Sequence, residues 1–118
     1  EIKALCDIIP ANVKEAQETI LKFRTVGADE YVGEDKWKEV CDREDIDLVY
    51  ICTDWLSHTP IAVYAMEQNK HVAIEVPAAF SVDECWSLVD TAELMTLWRY
   101  FTCRRCLYPR SERTCFFE

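Results

Sequence analysis

The chain has 118 residues, of which 50% are hydrophobic and 12% are aromatic. This length allows one domain, and the hydrophobic content is enough for a packed core. The net charge of -9 argues against a nucleic-acid partner, because such partners are bound by clustered lysine and arginine side chains. No apolar run reaches the roughly 18 residues of a membrane-spanning helix.

The first half of the chain alternates strand-like runs with helix-like runs. We expect a strand over residues 2–6, followed by a helix behind Pro10. The apolar stripe of that helix is Val13, Ala16, Ile20 and Phe23. A weaker strand over residues 28–32 ends at Gly33, and a short helix follows. One face of this second helix carries Trp37, Val40 and Cys41.

The second half continues the same alternation. Residues 46–53 give the strongest strand signal, because their nearly unbroken β-branched and aromatic content suits a strand covered on both faces. Thr59 as cap and Pro60 at the first helical position predict the next helix, and residues 71–76 predict the next strand. Ser81 and Glu84 form a capping-box pattern. The buried stripe expected behind it is Val82, Cys85, Val89 and Ala92.

This alternation predicts βαβ units, and therefore an α/β fold with a parallel sheet and right-handed crossovers. In open sheets of this kind, ligands bind outside the carboxyl ends of the strands. Those ends are polar in this sequence, at Asp7, at residues 53–58 and at residues 75–77. We therefore expect the functional site at this edge of the sheet.

Asp7 has two interpretations from the sequence alone. An acidic residue that ends the second strand of a dinucleotide-binding domain accepts hydrogen bonds from the adenosine ribose and disfavours a phosphate there, which selects NAD over NADP. The alternative is a helix cap. The glycine loop expected about 20 residues earlier would precede Glu1. The chain also starts without a methionine or a signal peptide, so we expect it to begin inside a longer protein.

The expected fold is thus a partial Rossmann-type, doubly wound parallel sheet that lacks the first strand and the glycine loop. In the strand order 3-2-1-4-5-6, the first strand lies between the second and the fourth. Its absence predicts either a gap between the strands at residues 2–6 and 48–53 or a direct pairing that closes the gap.

Three stretches carry a specific family resemblance. They are residues 4–7 (ALCD), residues 45–60 (DIDLVYICTDWLSHTP), and residues 71–79 (HVAIEVPAA) followed by residues 83–86 (DECW). Together they closely resemble glycoside hydrolase family 109, the NAD-dependent α-N-acetylgalactosaminidases of the Gfo/Idh/MocA oxidoreductase superfamily. The resemblance covers residues 1 to about 93, which we expect to form the dinucleotide-binding domain.

The resemblance implies a hydrolysis that depends on NAD and causes no net redox change. The cofactor takes hydride from C3 of the sugar, elimination at C2 expels the aglycone, water adds and the hydride returns. By the same resemblance, Asp7 contacts the adenosine ribose, and Glu75 and Val76 lie near the nicotinamide. The residues that line the dinucleotide are Trp55, Leu56, Ser57 and His58. No catalytic residues are assigned, because the substrate-binding domain of the family lies outside this sequence.

Val76 separates the possible functions. Sugar dehydrogenases of the superfamily typically carry Glu-Lys-Pro where this chain has Glu75-Val76-Pro77, and the lysine assists proton transfer. Valine cannot transfer a proton, and the glycosidase branch of the superfamily also carries valine at this position. The expected partner is therefore an N-acetylgalactosaminide. An NAD-dependent sugar dehydrogenase and a noncatalytic truncated product stay as alternatives, and the location in the cell and the oligomeric state stay open.

The resemblance ends at about residue 93. Residues 94–118 contain five arginines and no lysine, whereas arginine occurs earlier only at Arg24 and Arg43. This shift predicts a divergent tail from a different reading frame or a splice. The family has a cofactor-binding asparagine near position 104, where this chain has Arg104, so that contact is not carried over.

The positions of the remaining cysteine, histidine and tryptophan residues favour packing roles over metal binding or catalysis. We expect four cysteines to act as small core residues: Cys6, Cys41, Cys52 and Cys85. Cys103 and Cys106 have the spacing of half a zinc site, but no second pair of ligands follows, so no metal is expected. His71 is predicted to be structural, and Trp37 and Trp86 are predicted to pack on helix stripes.

Overall fold

Four βα units and a final strand follow one another along the chain. The structure, a computed structural model, describes residues 1–95 and 99–101. The elements are β1 (Ala4–Asp7), α1 (Pro10–Leu21), β2 (Asp29–Val32), α2 (Lys36–Cys41), β3 (Leu48–Ile51), α3 (Trp55–Glu67), β4 (His71–Ile74), α4 (Val82–Leu94) and β5 (Arg99–Phe101). The predicted order of strands and helices is therefore confirmed, with strands shorter than the sequence suggested.

The strands form two parallel ladders. β1 pairs with β2, with Ala4 opposite Asp29, and β4 lies between β3 and β5, with Leu48 opposite His71. Within the described residues, no strand pairing joins β1 to β3. Of the two arrangements predicted, a gap or a direct pairing, the structure shows the gap. In Rossmann order, the space between them corresponds to the first strand.

Side-chain packing connects the two ladders where backbone pairing does not. Alternate residues of a strand face opposite sides of the sheet. Ala4 and Cys6 of β1 share one buried cluster with Val49 and Ile51 of β3 and with residues of α2 and α3. Leu5 faces the other side and packs with α1. Helices therefore cover both faces, as a doubly wound sheet requires.

Arg43 adds a polar bracket between the ladders. Its guanidinium donates to Asp29 at the start of β2 over 2.6 Å and to Asp45, just before β3, over two distances of 2.8 Å. Lys70 Nζ donates to the Arg43 carbonyl oxygen over 2.5 Å. The hydrogen bond from Arg43 lowers the pKa of Asp45 to about 2. Arg43 therefore ties the outer strand β2 to the loop that precedes β3.

Two predicted helix stripes need correction. α1 ends at Leu21, so Phe23 lies beyond the helix and is 85% exposed rather than buried. α4 packs against α3 through Leu88 and Ala92, which are four residues apart on one face. Ala92 of the predicted stripe is therefore buried, whereas three residues expected to pack are exposed in the first half of α4: Val82, Cys85 and Trp86. The capping box of Ser81 and Glu84 is confirmed.

The start of α3 also differs from the prediction. The helix begins at Trp55 behind Asp54, so Pro60 lies inside it and not at its first position. Asp54 supplies the cap that the sequence pattern assigned to Thr59. Because α3 starts five residues earlier than predicted, His58 and Thr59 lie inside the helix, and both side chains are buried.

Candidate functional site

A cavity of about 310 Å³ lies at the carboxyl ends of β1 and β3. Its walls come from these two strand ends, from the turn between β2 and α2, and from the first turns of α1 and α3. This is the edge of a parallel sheet where ligands are expected. It is also where the two ladders are not joined by backbone pairing.

Asp7 faces this cavity from the end of β1. Its Oδ1 accepts the Ile9 N–H over 2.8 Å, and its Oδ2 accepts the Asn12 side-chain amide over 3.0 Å. Each carboxylate oxygen has a further acceptor position, so these bonds leave room for a ligand. The carboxylate therefore holds the entry to α1 and also remains able to accept hydroxyl groups from the cavity.

Asp54 and Ser57 form the opposite wall. Asp54 Oδ1 accepts the Leu56 and Ser57 N–H groups over 3.0 and 3.2 Å, and Oδ2 accepts the Ser57 hydroxyl over 2.6 Å. The hydrogen bond from the Ser57 side chain is the main cause of a lowered pKa at Asp54. The helix already uses these N–H groups for its own cap, so the start of α3 does not offer them to an external anion.

The charges around the cavity favour an uncharged ligand group. Three carboxylates line it, from Asp7, Glu34 and Asp54, and among the residues that the structure describes no lysine or arginine does so. The chain contains only two glycines, Gly27 and Gly33, so it cannot supply the three-glycine fingerprint that cradles a pyrophosphate. The cavity therefore suits a ribose with its hydroxyls, whereas the described residues offer no phosphate cradle.

His58 does not line this cavity. Its side chain is only 1% exposed and lies between the β3–α3 turn (residues 52–54) and the β4–α4 loop (residues 75–81). Ring Nδ1 is 2.8 Å from the Pro77 carbonyl oxygen, and Nε2 is 3.1 Å from the Thr53 carbonyl oxygen. Both ring nitrogens thus lie within hydrogen-bond distance of main-chain carbonyl oxygens, and a neutral ring donates to one of the two.

The other predicted residues surround the β4–α4 loop. Trp55 is 46% exposed, with its ring centroid 5.7 Å from that of Phe80, and Leu56 is 73% exposed. Glu75 and Val76 are half-buried, and the Glu75 N–H donates to the Ile51 carbonyl oxygen over 3.0 Å. The predicted residues therefore form two neighbouring groups. Asp7 and Ser57 lie on the cavity, and the rest lie beside this loop.

Two of these features were missed by sequence reasoning. Glu34 follows Gly33 at the end of β2 and lines the cavity, although its neighbours in sequence give it no distinctive signal. The cap formed by Asp54 has a recognisable signal, an aspartate three residues before a serine at a strand end. Cys103 and Cys106, for which no metal was expected, lie outside the described residues. Within residues 1–95, no three side chains are arranged to hold a metal ion.

No helix in the part of the chain that the structure describes is long and apolar enough to cross a membrane.

Comparisons with known proteins agree with this geometry. Residues 1–97 match the family model described as "Oxidoreductase family, NAD-binding Rossmann fold". The WlbA dehydrogenase of Chromobacterium violaceum, solved with NADH and UDP-GlcNAcA, superposes with a TM-score of 0.73 at 22% identity. The match covers 86% of this chain and 27% of the dehydrogenase. At that identity the likeness establishes the fold alone.

Sequence relatives are more similar. An α-N-acetylgalactosaminidase of Bacteroides fragilis is 61% identical over 93 residues, which are 79% of this chain and 22% of that enzyme. A glycosyl hydrolase family 109 protein of Porphyromonas gingivalis is 50% identical over 115 residues, which are 97% of this chain and 24% of that protein. This chain thus spans about a quarter or less of these relatives. It belongs to the Gfo/Idh/MocA oxidoreductase family, with an NAD-binding Rossmann fold of the glycoside hydrolase family 109 branch.

Proposed function

We propose that this chain is part of the dinucleotide-binding domain of an NAD-dependent glycosidase that acts on α-N-acetylgalactosaminides. The observation that carries the proposal is the 61% identity to the α-N-acetylgalactosaminidase of Bacteroides fragilis. We assign residues 1–93 to this domain and keep residues 94–118 as a separate, divergent tail. The glycosidase activity then belongs to the whole enzyme, of which this chain supplies cofactor contacts.

The described residues fit one half of the cofactor well. Asp7 lies in a cavity that no basic side chain of the described part of the chain lines, where its carboxylate suits the adenosine ribose hydroxyls and repels an added phosphate, so NAD is favoured over NADP. Ser57 lies on the same cavity, where its hydroxyl stays bonded to Asp54. When bound, NAD+ supplies reversible hydride acceptance at a sugar carbon. This chain's own task is to place the cofactor, because the hydride chemistry resides in the cofactor itself.

The nicotinamide half is assigned to the second group of residues. Trp55 and Leu56 offer exposed apolar surface, and Trp55 contacts Phe80 of the loop that carries Glu75 and Val76. A planar aromatic ring such as nicotinamide packs well against tryptophan. Val76 offers no titratable group, so proton transfer at the sugar belongs to residues elsewhere in the enzyme.

An NAD-dependent sugar dehydrogenase is the second candidate. The observation in its favour is the fold shared with the WlbA dehydrogenase. Val76 speaks against it, because an ordinary dehydrogenase needs a base near the carbon that is oxidised, and valine cannot accept a proton. The glycosidase is therefore the better supported function.

The test uses the full-length enzyme and an aryl α-N-acetylgalactosaminide. We expect aglycone release to stop when the protein is stripped of cofactor and to return when NAD+ is added, with no net NADH by absorbance. Equal rates in the stripped and reloaded enzyme would exclude the proposal. Stoichiometric NADH formed from the free sugar, without aglycone release, would favour the dehydrogenase.

A further inference from the structure

The first two turns of α3 are bonded to the β4–α4 loop through two adjacent side chains. His58 Nδ1 is 2.8 Å from the carbonyl oxygen of Pro77, and the Thr59 hydroxyl donates to the carbonyl oxygen of Ala78 over 3.1 Å. Both side chains are at least 95% buried, since His58 is 1% and Thr59 is 5% exposed. The Thr59 hydroxyl therefore satisfies one loop carbonyl, and His58 Nδ1 lies within hydrogen-bond distance of the preceding one.

The other nitrogen of His58 links the same loop to β3. Nε2 lies 3.1 Å from the carbonyl oxygen of Thr53, the residue between β3 and the cap of α3. Carbonyl oxygens only accept hydrogen bonds, and a neutral imidazole carries one N–H, so the ring donates to one of these two oxygens while both of its nitrogens lie against the main chain. The buried ring therefore lies between the end of β3 and the β4–α4 loop.

The bonded loop begins with the two residues assigned to the nicotinamide. Glu75 and Val76 lie between the end of β4 and the carbonyl that His58 binds. Glu75 is held at one end by its N–H bond to Ile51, over 3.0 Å. The bonds from α3 therefore fix the other end of this short segment.

We propose that His58 and Thr59 are positioning residues, which act on the cofactor through the β4–α4 loop and not by contact. They hold Glu75 and Val76 in place at the nicotinamide end of the site. This inference rests on the proposed function, because the loop needs an accurate position only if it borders a cofactor. It also gives His58 a role that differs from the direct contact which the family resemblance implies.

Thr59 offers the sharpest test, because valine has the same shape without the hydroxyl and serine keeps the hydroxyl. In the full-length enzyme, we expect Thr59→Val to speed amide hydrogen exchange in residues 75–81 and to weaken NAD+ binding about tenfold, the effect of one buried carbonyl left unsatisfied. Thr59→Ser restores both. His58→Gln is expected to act in the same direction, and His71→Gln, at the opposite end of β4, is the matched control.

Two measurements separate this role from simple stability. Calorimetric NAD+ affinity and hydrogen exchange are determined at a temperature where every variant is fully folded. A lower melting temperature for Thr59→Val with unchanged NAD+ affinity and loop exchange would overturn the proposal. If the wild-type enzyme binds no NAD+, the proposed function fails. The hydrogen-exchange rates alone then test whether Thr59 holds the β4–α4 loop. Faster loop exchange in Thr59→Val with rescue by Thr59→Ser then supports the holding role, and equal exchange rejects it.

Discussion

The Asp7 carboxylate holds a structural position and also faces the cavity. Its hydrogen bonds to the Ile9 N–H and to the Asn12 side chain fix the chain at the start of α1. The carboxylate also lines the cavity. The two interpretations that the sequence left open are therefore compatible. A variant at this residue has to separate the loss of a ligand contact from the loss of the α1 entry.

We expect Asp7→Ala in the full-length enzyme to weaken NAD+ binding by about 1 to 3 kcal/mol, the usual cost of losing a charged hydrogen-bonding partner. Isothermal calorimetry measures the change. Asn12→Ala removes one of the structural bonds and leaves the carboxylate, so it serves as the control. An unchanged dissociation constant for Asp7→Ala, or an equal loss in Asn12→Ala, would reduce Asp7 to a structural role.

The cysteines differ in reactivity because the fold buries them unequally. Burial raises the pKa of the Cys41 thiol to about 12, so this thiol holds its proton near neutral pH. Cys85 is exposed on α4. In the folded full-length protein, we expect iodoacetamide to modify Cys85 quickly and Cys41 only after denaturation, as read by peptide mass spectrometry. Equal labelling rates in the native state would mean that the core around Cys41 is open.

The sequence predicted which residues follow the strand ends better than it predicted the directions of their side chains. Asp7 and Ser57 lie on the cavity, because a residue at a parallel strand end is placed there by topology alone. His58 shares the same stretch but points into the interior. The sequence pattern placed His58 before a helix that starts at Pro60, but α3 starts five residues earlier, at Trp55, so His58 lies inside the helix.

At the scale of elements, the start of α3 depends on Asp54 and not on Thr59. The proline signal pointed to a start at Pro60, since proline is favoured in the first turn. The Asp54 carboxylate overrides it by accepting two N–H groups and the Ser57 hydroxyl. Element types could be predicted because hydrophobic periodicity is a long-range signal. Element ends could not, because a few local hydrogen bonds decide them.

We expect Asp54→Ala to lower the free energy of unfolding of the full-length enzyme by about 1 kcal/mol, the typical value of a helix cap. Asp54→Asn keeps an acceptor and is expected to lose less. Urea titrations provide the measurement. A loss in Asp54→Asn equal to that in Asp54→Ala would show that the charge, and not the acceptor, stabilises the helix.

The same cap has a predictable pH dependence. The pKa of Asp54 in the folded chain lies below its ordinary value of 3.8, so the ionised form is the one that folding stabilises. Its contribution is therefore complete above that ordinary value and is lost as the pH falls through the lower, folded-state pKa. The difference in unfolding free energy between wild type and Asp54→Ala is expected to shrink in acid. A difference that stays constant down to about pH 2 would contradict this assignment.

At the scale of the whole molecule, the sheet has edges of two kinds. β2 exposes Asp29 and Glu30, and charged side chains on an edge strand oppose pairing with other chains. β1 and β3 face each other across the unpaired gap with apolar sequences, ALCD and LVYI. Their side chains are largely buried in shared clusters, but within the described residues each strand has a pairing partner on one side only.

For predicting which strands are neighbours, the strand order of the fold was more informative than any single sequence motif. Predicting which strand neighbours which required the Rossmann topology, since both ladders contain ordinary parallel strands. The Arg43 bracket could not have been predicted, because Asp29 and Asp45 lie 14 and 2 residues from it in sequence and carry no shared pattern. It joins the ladders at the rim, and the apolar clusters join them at the centre.

We expect these 118 residues, produced alone, to self-associate through the apolar edges of β1 and β3, because an unpaired strand edge accepts further strands. Light scattering after size exclusion measures the association, and urea unfolding is expected to be broad. The double variant Asp29→Asn and Glu30→Gln removes the charges of the outer edge and serves as the control. Association through the inner edges leaves its mass distribution unchanged, whereas association through β2 increases it. A monomer with one sharp unfolding transition and micromolar NAD+ affinity would show that side-chain packing and the Arg43 bracket close the gap without a pairing strand.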